Sequence, residues 1–248
     1  MNIRFLPLSA FLFLAAGTAY GQAGSLGKDA ATVQANMATI ASGSSLRVEG
    51  ATSLGVVGSP YADSRWLTAL LTLNNGMPLA PVPLKYDVLQ HRLLMLDAKH
   101  PKDSLLLDDH QVVRFVLQEP ASARGPARQR EFRRFREAPQ QHHRPDYVEV
   151  LHEGSYTLLK HYVKTVKKAD YYGAYSQDRR TDEIEDKSTY YLLSPEARLA
   201  PVKLNLKTLQ SAAPPLAAAL KTTADTQKPK TEAQWVSVLQ AADPKPAK

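Results

Sequence analysis

From Leu46 onward the chain alternates apolar and polar residues in short runs, separated at intervals of about ten residues by turn-forming side chains, a rhythm that belongs to antiparallel strands. Leu46 to Glu49 is the first run, and Trp66 to Leu73 the second, ending at Asn74-Asn75-Gly76. Asn and Gly accept the left-handed backbone of a tight turn, so that tripeptide predicts a hairpin. Val82 to Leu89 puts Leu84, Tyr86 and Val88 on one face, and His91 to Asp97 returns beside it. Ser104 to Leu107 is short, and Gln111 to Gln118 aligns Val113, Phe115 and Leu117. Tyr147 to Leu151 turns at Glu153-Gly154 into Ser155 to Val166, and Thr189 to Leu193 turns into Leu199 to Leu204. Each such strand buries one face, so the sheet must curl, close or receive a cover.

The period changes at the C-terminus. Leu206 to Leu220 and Glu232 to Ala241 have helical composition, with Leu216, Leu220, Trp235, Val238 and Leu239 as buried positions. Pro214-Pro215 fits a first helical turn, and Thr231 with Gln234 reads as a capping box. The predicted fold is therefore α+β and mainly β: an antiparallel curled or barrel-like sheet of hairpins, then a C-terminal helical pair. The organisation reads as a signal peptide over 1–21, a flexible lead-in over 22–45 and a β domain over 46–204 with an Arg-rich loop at 120–145. The helical pair follows over 205–243, and 244–248 forms a disordered tail.

The start of the chain alters the picture most. Arg4 precedes the apolar run Phe5 to Ala16, and Ala19-Tyr20-Gly21 offers small residues for cleavage before Gln22. This is the pattern of an export signal. The run is about a dozen residues, short of the roughly 20 that a membrane span needs. No later stretch is apolar enough to span, so the mature chain carries no expected transmembrane segment. With no cysteine there is no disulfide, thiolate metal site or thioether lipid anchor. The expected location is the periplasm or the cell surface. The net charge of +7 favours acidic partners and says nothing of fold.

Several short motifs recur in order: Gly58-Ser59-Pro60-Tyr61, Pro83-Leu84-Lys85-Tyr86-Asp87, Tyr147-Val148-Glu149-Val150-Leu151-His152-Glu153-Gly154, Leu158-Leu159-Lys160, Tyr190-Tyr191-Leu192-Leu193 and Pro201-Val202-Lys203-Leu204-Asn205. In this order they resemble a group of exported β-rich proteins of Bacteroidota-type Gram-negative bacteria, of unknown function. The resemblance runs from about Gly58 to Asp243. It implies a β-rich envelope protein and carries over no catalytic residue.

The candidate chemistry is sparse. Arg124, Arg128, Arg130, Arg133, Arg134, Arg136 and Arg144 crowd one segment with Phe132 and Phe135 among them. Arginine's planar fork suits phosphates and carboxylates, so these seven are the candidate anionic-surface residues; the alternative is a solvated loop with the Phe packed on the sheet edge. Tyr171, Tyr172, Tyr175, Tyr190 and Tyr191 are candidate groove aromatics, against ordinary cross-strand packing. Asp108-Asp109 and Asp182-Glu183-Glu185-Asp186 read as solvated turns, the latter in a charged loop from Asp178 to Lys187. The histidines read as surface groups: His142 and His143 are adjacent, no HExxH occurs, and only His152 and His161 flank a hairpin closely enough to approach. No metal, cofactor or catalytic residue is expected. GxSxG, the phosphate-binding loop and GxGxxG are absent from the sequence, and no nucleic-acid signature is present.

The leading expectation is a non-enzymatic envelope module that binds an anionic component or another envelope protein. The alternatives are a carrier or sensor of an apolar ligand in a curled sheet, and a hydrolase with a non-standard site.

Overall fold

The computed structural model describes residues 47–49, 56–77, 79–96, 103–122, 125–169 and 181–245. The predicted signal peptide, the lead-in, Arg124, Tyr171, Tyr172, Tyr175 and residues 246–248 of the tail lie outside the described residues. In chain order the strands are β1 (Arg47–Glu49), β2 (Val56–Val57), β3 (Leu67–Leu73), β4 (Val82–Asp87), β5 (Arg92–Leu96), β6 (Asp103–Leu106) and β7 (Val112–Glu119). They continue with β8 (Arg128–Arg134), β9 (Tyr147–Glu153), β10 (Thr157–His161), β11 (Lys164–Lys167), β12 (Asp182–Asp186), β13 (Thr189–Leu193) and β14 (Leu199–Val202). Three helices follow: α1 (Leu206–Ala212), α2 (Ala217–Gln227) and α3 (Glu232–Ala242). Among the described residues no helix is long and apolar enough to cross a membrane.

Eleven strands form one open antiparallel sheet in the order β1-β6-β5-β4-β3-β7-β8-β9-β10-β13-β14. A small second sheet runs β11-β12-β2, with β12 and β2 parallel. The expected mainly-β fold with a C-terminal helical pair is present; a short α1 precedes the pair. In β3, Leu67, Ala69, Leu71 and Leu73 are buried while Thr68, Leu70 and Thr72 are exposed, as the alternation requires.

The sheet curls, and the aromatic rings show by how much. Four strand-to-strand steps separate β4 from β9, about 19 Å in a flat sheet with a spacing near 4.8 Å. Yet the Tyr86 and Tyr147 rings meet edge-on at 5.5 Å. Phe115 and Phe132 stack between them at 4.7 Å, and Tyr86 lies edge-on to both. All four are fully or almost fully buried. The interior of the curl is thus filled by rings rather than left open.

Farther along, strand alternation sends Leu158 and Leu159 of β10 to opposite faces, beside a bulge at Leu151 of β9. Leu158 joins Tyr156, Leu192 and Val202 beneath Leu209, Leu220, Val238 and Leu239 of the helices. Leu159 joins Phe135, Ala138 and Val148 on the reverse side. Two expectations change here. The helical stretch expected over 206–220 is divided at Ala213, because Pro214 holds the preceding residue out of helical geometry, and Pro214-Pro215 open a new helical turn as expected. The single strand expected over 155–166 stops at His161 and resumes as β11 in the second sheet. The capping box is as expected: Thr231 accepts from the Gln234 amide, and Gln234 accepts from the Thr231 amide. Thr231→Ala is expected to cost about 1 kcal/mol, read as a lower urea midpoint with an unchanged denaturant slope.

Candidate functional site

The arginine segment is not a loop. Residues 128–134 form β8, a central strand between β7 and β9, so the Arg-rich loop expected at 120–145 is corrected. Alternation turns Arg130 and Phe132 to the buried side. Arg130, only 6% exposed, makes a two-pronged pair with Glu149 at 2.8 and 2.9 Å. It also donates to Tyr162 Oη at 2.8 Å and to Asp63 at 3.1 Å, and Tyr162 in turn donates to Glu149. Burial opposes the Arg130 charge, but Glu149, Tyr162 and Asp63 outweigh it and keep the guanidinium firmly protonated. Burial and then the Glu149 charge hold the Tyr162 phenol protonated. This is an internal clamp, closed to an outside anion.

The other arginines are also largely engaged. Arg128 and Arg65 both pair with Glu119 at 2.6 Å, and Arg133 pairs with Glu137 at 2.8 Å. Arg134 donates to the carbonyls of Val112 and Pro145 and lies over the Tyr147 ring at 4.1 Å. Arg136 and Arg144 are exposed and form no ion pair among the described residues. The six described arginines therefore do not make one anion-binding surface. Phe132 and Phe135 are fully buried and cannot stack on a base.

The tyrosine expectation also changes. Tyr190 joins the helix-side core and donates to Glu232, whereas Tyr191 faces Phe135 at 5.2 Å on the reverse side. Adjacent strand residues point to opposite faces, so the two cannot floor one groove. The acidic segment expected as a loop is β12, whose Asp186 and Glu185 pair with Lys164 and Lys167 of β11. Asp108 stays in the expected turn role, accepting from the His110 amide.

Two open grooves lie on the solvent side of the strands. One, of about 590 Å³, is lined by Trp66, Thr68, Gln118, Glu119, Arg128 and Gln129. The other, of about 450 Å³, is lined by Val116, Gln129, Glu131 and His152 together with Gln240 of α3. They meet at Gln129.

The histidines give the largest departure from expectation. His152 and His161 are buried, and they do not meet across their hairpin. His152 Nε2 lies 3.2 Å from Asp243. His161 Nε2 lies 2.9 Å from Oδ2 of Asp146, and His143 Nδ1 lies 2.8 Å from the same oxygen. His91 Nδ1 approaches the other oxygen, Oδ1, at 2.8 Å. Asp146 and His161 are buried, His143 is a quarter exposed and His91 more than half, so the cluster opens to solvent on one side. Burial works against the Asp146 charge, but hydrogen bonds from His161, His91 and His143 hold its carboxyl well below the usual range. The Asp146 hydrogen bond raises the pKa of His91 against the opposing effect of its partial burial.

Local structure fixes the parts. His143 ends a 3-10 turn at Gln141–His143, and Asp146 N donates back to His143 O at 3.1 Å. The Phe135 amide donates to Asp146 O at 2.9 Å. His91 sits at φ 52 in the β4–β5 turn, a left-handed conformation uncommon outside glycine. His143, Asp146 and His161 each offer one ligand atom within 4.8 Å of the other two, a set able to hold a metal ion. The sequence reading missed Asp146 entirely. The one local signal was the His143-x-x-Asp146 spacing, whereas His91 and His161 arrive only through the curl of the sheet. A scan of protein-family models and searches of curated proteins and of solved structures return no match to this chain.

Proposed function

We propose that this protein is an exported, non-enzymatic binding module of the bacterial envelope, and that it engages another envelope protein through the solvent side of β3, β7, β8 and β9. The observation that carries the reading is the pair of grooves meeting at Gln129 on that side. The charges there are already matched within the chain, Arg65 and Arg128 with Glu119 and Arg114 with Glu131. A surface of paired charges, amides and Trp66 suits a protein partner better than an anionic lipid, whose attraction needs uncompensated charge. Export rests on the N-terminal pattern of Arg4 and the apolar run behind it.

A carrier would need an enclosed apolar chamber of at least about 300 Å³, and the interior of the curl is instead packed by Tyr86, Phe115, Phe132 and Tyr147. A hydrolase with a side-chain nucleophile would need a hydroxyl beside its converging titratable groups; such groups converge at Asp146, but among the described residues no hydroxyl is bonded to any of its three histidine rings.

The test is site-specific photocrosslinking in living cells. A photoreactive residue at Gln129 is expected to trap one discrete partner in the envelope fraction, whereas the same probe at exposed Lys221 on α2 does not. Identical adduct patterns at the two sites would remove the proposed surface. N-terminal sequencing of the envelope form is expected to begin at Gln22; recovery of the intact Met1 chain from the cytoplasm would remove the export reading.

A further inference from the structure

We propose that His143, Asp146 and His161 form a binding site for a divalent transition-metal ion of the zinc type, with His91 orienting the carboxylate from behind. Three independent parts of the chain converge here. His143 and Asp146 come from the segment before β9, His161 from the end of β10, and His91 from the β4–β5 turn. Only the curl that brings Tyr86 to Tyr147 brings His91 to Asp146.

The donor set matches the chemistry. Two imidazole nitrogens and one carboxylate oxygen suit zinc and its neighbours, and the absence of cysteine leaves no competing thiolate. The nitrogens of His143 and His161 both address the same oxygen, Oδ2 of Asp146, at 2.8 and 2.9 Å. Around a tetrahedral zinc with bonds near 2.0–2.1 Å, neighbouring donor atoms stand about 3.3 Å apart. Each nitrogen therefore draws back from Oδ2 by about half an ångström, while the ligand atoms of the set, which lie within 4.8 Å of one another, close to that spacing around the ion. On binding, the ion takes the place of the N–H protons that face Oδ2, and each neutral ring changes tautomer, its proton passing through solvent to the ring's other nitrogen.

The surroundings favour a cation over an anion. With its rings neutral, the cluster carries the single negative charge of one buried carboxylate. His91 donates to the free oxygen Oδ1 and fixes the plane of the carboxylate, the role of an outer-shell partner in metal sites. The Phe135 ring packs at 5.1 Å from His161 and shields the inner side. Exposure of His143 and His91 leaves an entry path from solvent. His142, whose ring lies 4.0 Å from that of His143, is exposed and outside the donor set.

The experiment is a titration of the purified mature chain with zinc chloride by calorimetry, repeated with cobalt(II) to read coordination from visible absorption. The expected result is one tightly bound ion per chain, with the intense visible bands of a low-coordinate cobalt site. His143→Ala, a partly exposed position, is expected to weaken binding about tenfold or more and remove those bands, whereas His142→Ala changes neither. His91→Gln, which keeps a donor toward Oδ1, is expected to weaken binding only a few-fold. Asp146→Asn is expected to abolish binding; if it fails to fold, the His143→Ala and His142→Ala pair still decides. Absent binding, or equal affinity in the wild type and His143→Ala, would overturn the site and leave the cluster a hydrogen-bonded brace.

Discussion

Glu149→Ala is expected to lower the free energy of unfolding by about 3–5 kcal/mol, the usual cost of removing one partner of a buried ion pair. The cost is not the lost attraction alone. Arg130 is 6% exposed, and its fork is shaped by both oxygens of Glu149. Once Glu149 is gone, a guanidinium out of reach of water keeps only Asp63 at 3.1 Å as an anionic partner, and Asp63 is already shared with Arg65. Tyr162 loses the carboxylate to which it donates. The double variant Arg130→Met/Glu149→Leu removes both charges and refills the volume, and is expected to regain most of that loss. Urea unfolding of the three proteins reads the comparison. A double variant no better than Glu149→Ala would mean that the polar network itself specifies the packing of β8 against β9.

That pair also explains why the sheet was legible in the sequence everywhere except at its centre. Strands such as β3 announce themselves because a buried face of Leu67, Ala69, Leu71 and Leu73 alternates with an open one. In β8 the run Arg-Gln-Arg-Glu-Phe-Arg-Arg holds one apolar residue. Its buried face is built from Phe132 and a neutralised Arg130, and a hydropathy pattern scores the latter as solvated. β12 hides in the same way, with Ile184 alone among four carboxylates. The histidine cluster was illegible for another reason. Its members lie at 91, 143, 146 and 161, and nothing short of the sheet's curvature relates the first of them to the rest. The elements that were read well, the capping box and the hairpins, are those whose signals lie within a few residues of each other.

Asp243→Ala is expected to cost about 3 kcal/mol, because it strips the partners from two backbone amides at once. Asp243 ends α3 and reaches into the β9–β10 turn. Its Oδ1 accepts from the Ser155 amide at 3.0 Å, and its Oδ2 accepts from the buried Tyr156 amide at 2.8 Å. Gly154 makes the approach possible: a Cβ there would stand 2.6 Å from both the Asp243 carbonyl oxygen and Oδ2. Gly154→Ala is thus expected to cost about 1–3 kcal/mol, and the two losses should not add, since both open the same contact. Burial raises the Asp243 pKa, but the Tyr156 amide, His152 and the Ser155 amide outweigh it and hold the group below 3.8. Its stabilisation is therefore complete above the unfolded value and is lost as pH falls through the lower folded one. The stability gap between the wild type and Asp243→Asn should narrow from about pH 7 to about pH 2.5 in urea unfolding; a gap that stays constant would show that the charge does not matter. The same corner supplies His152, Glu153, Gln240 and Lys245 to the second groove. Faster hydrogen exchange at Ser155 and Tyr156 in Asp243→Ala, with loss of the Gln129 crosslink, would show that the helix-to-sheet latch holds one wall of the binding face in place.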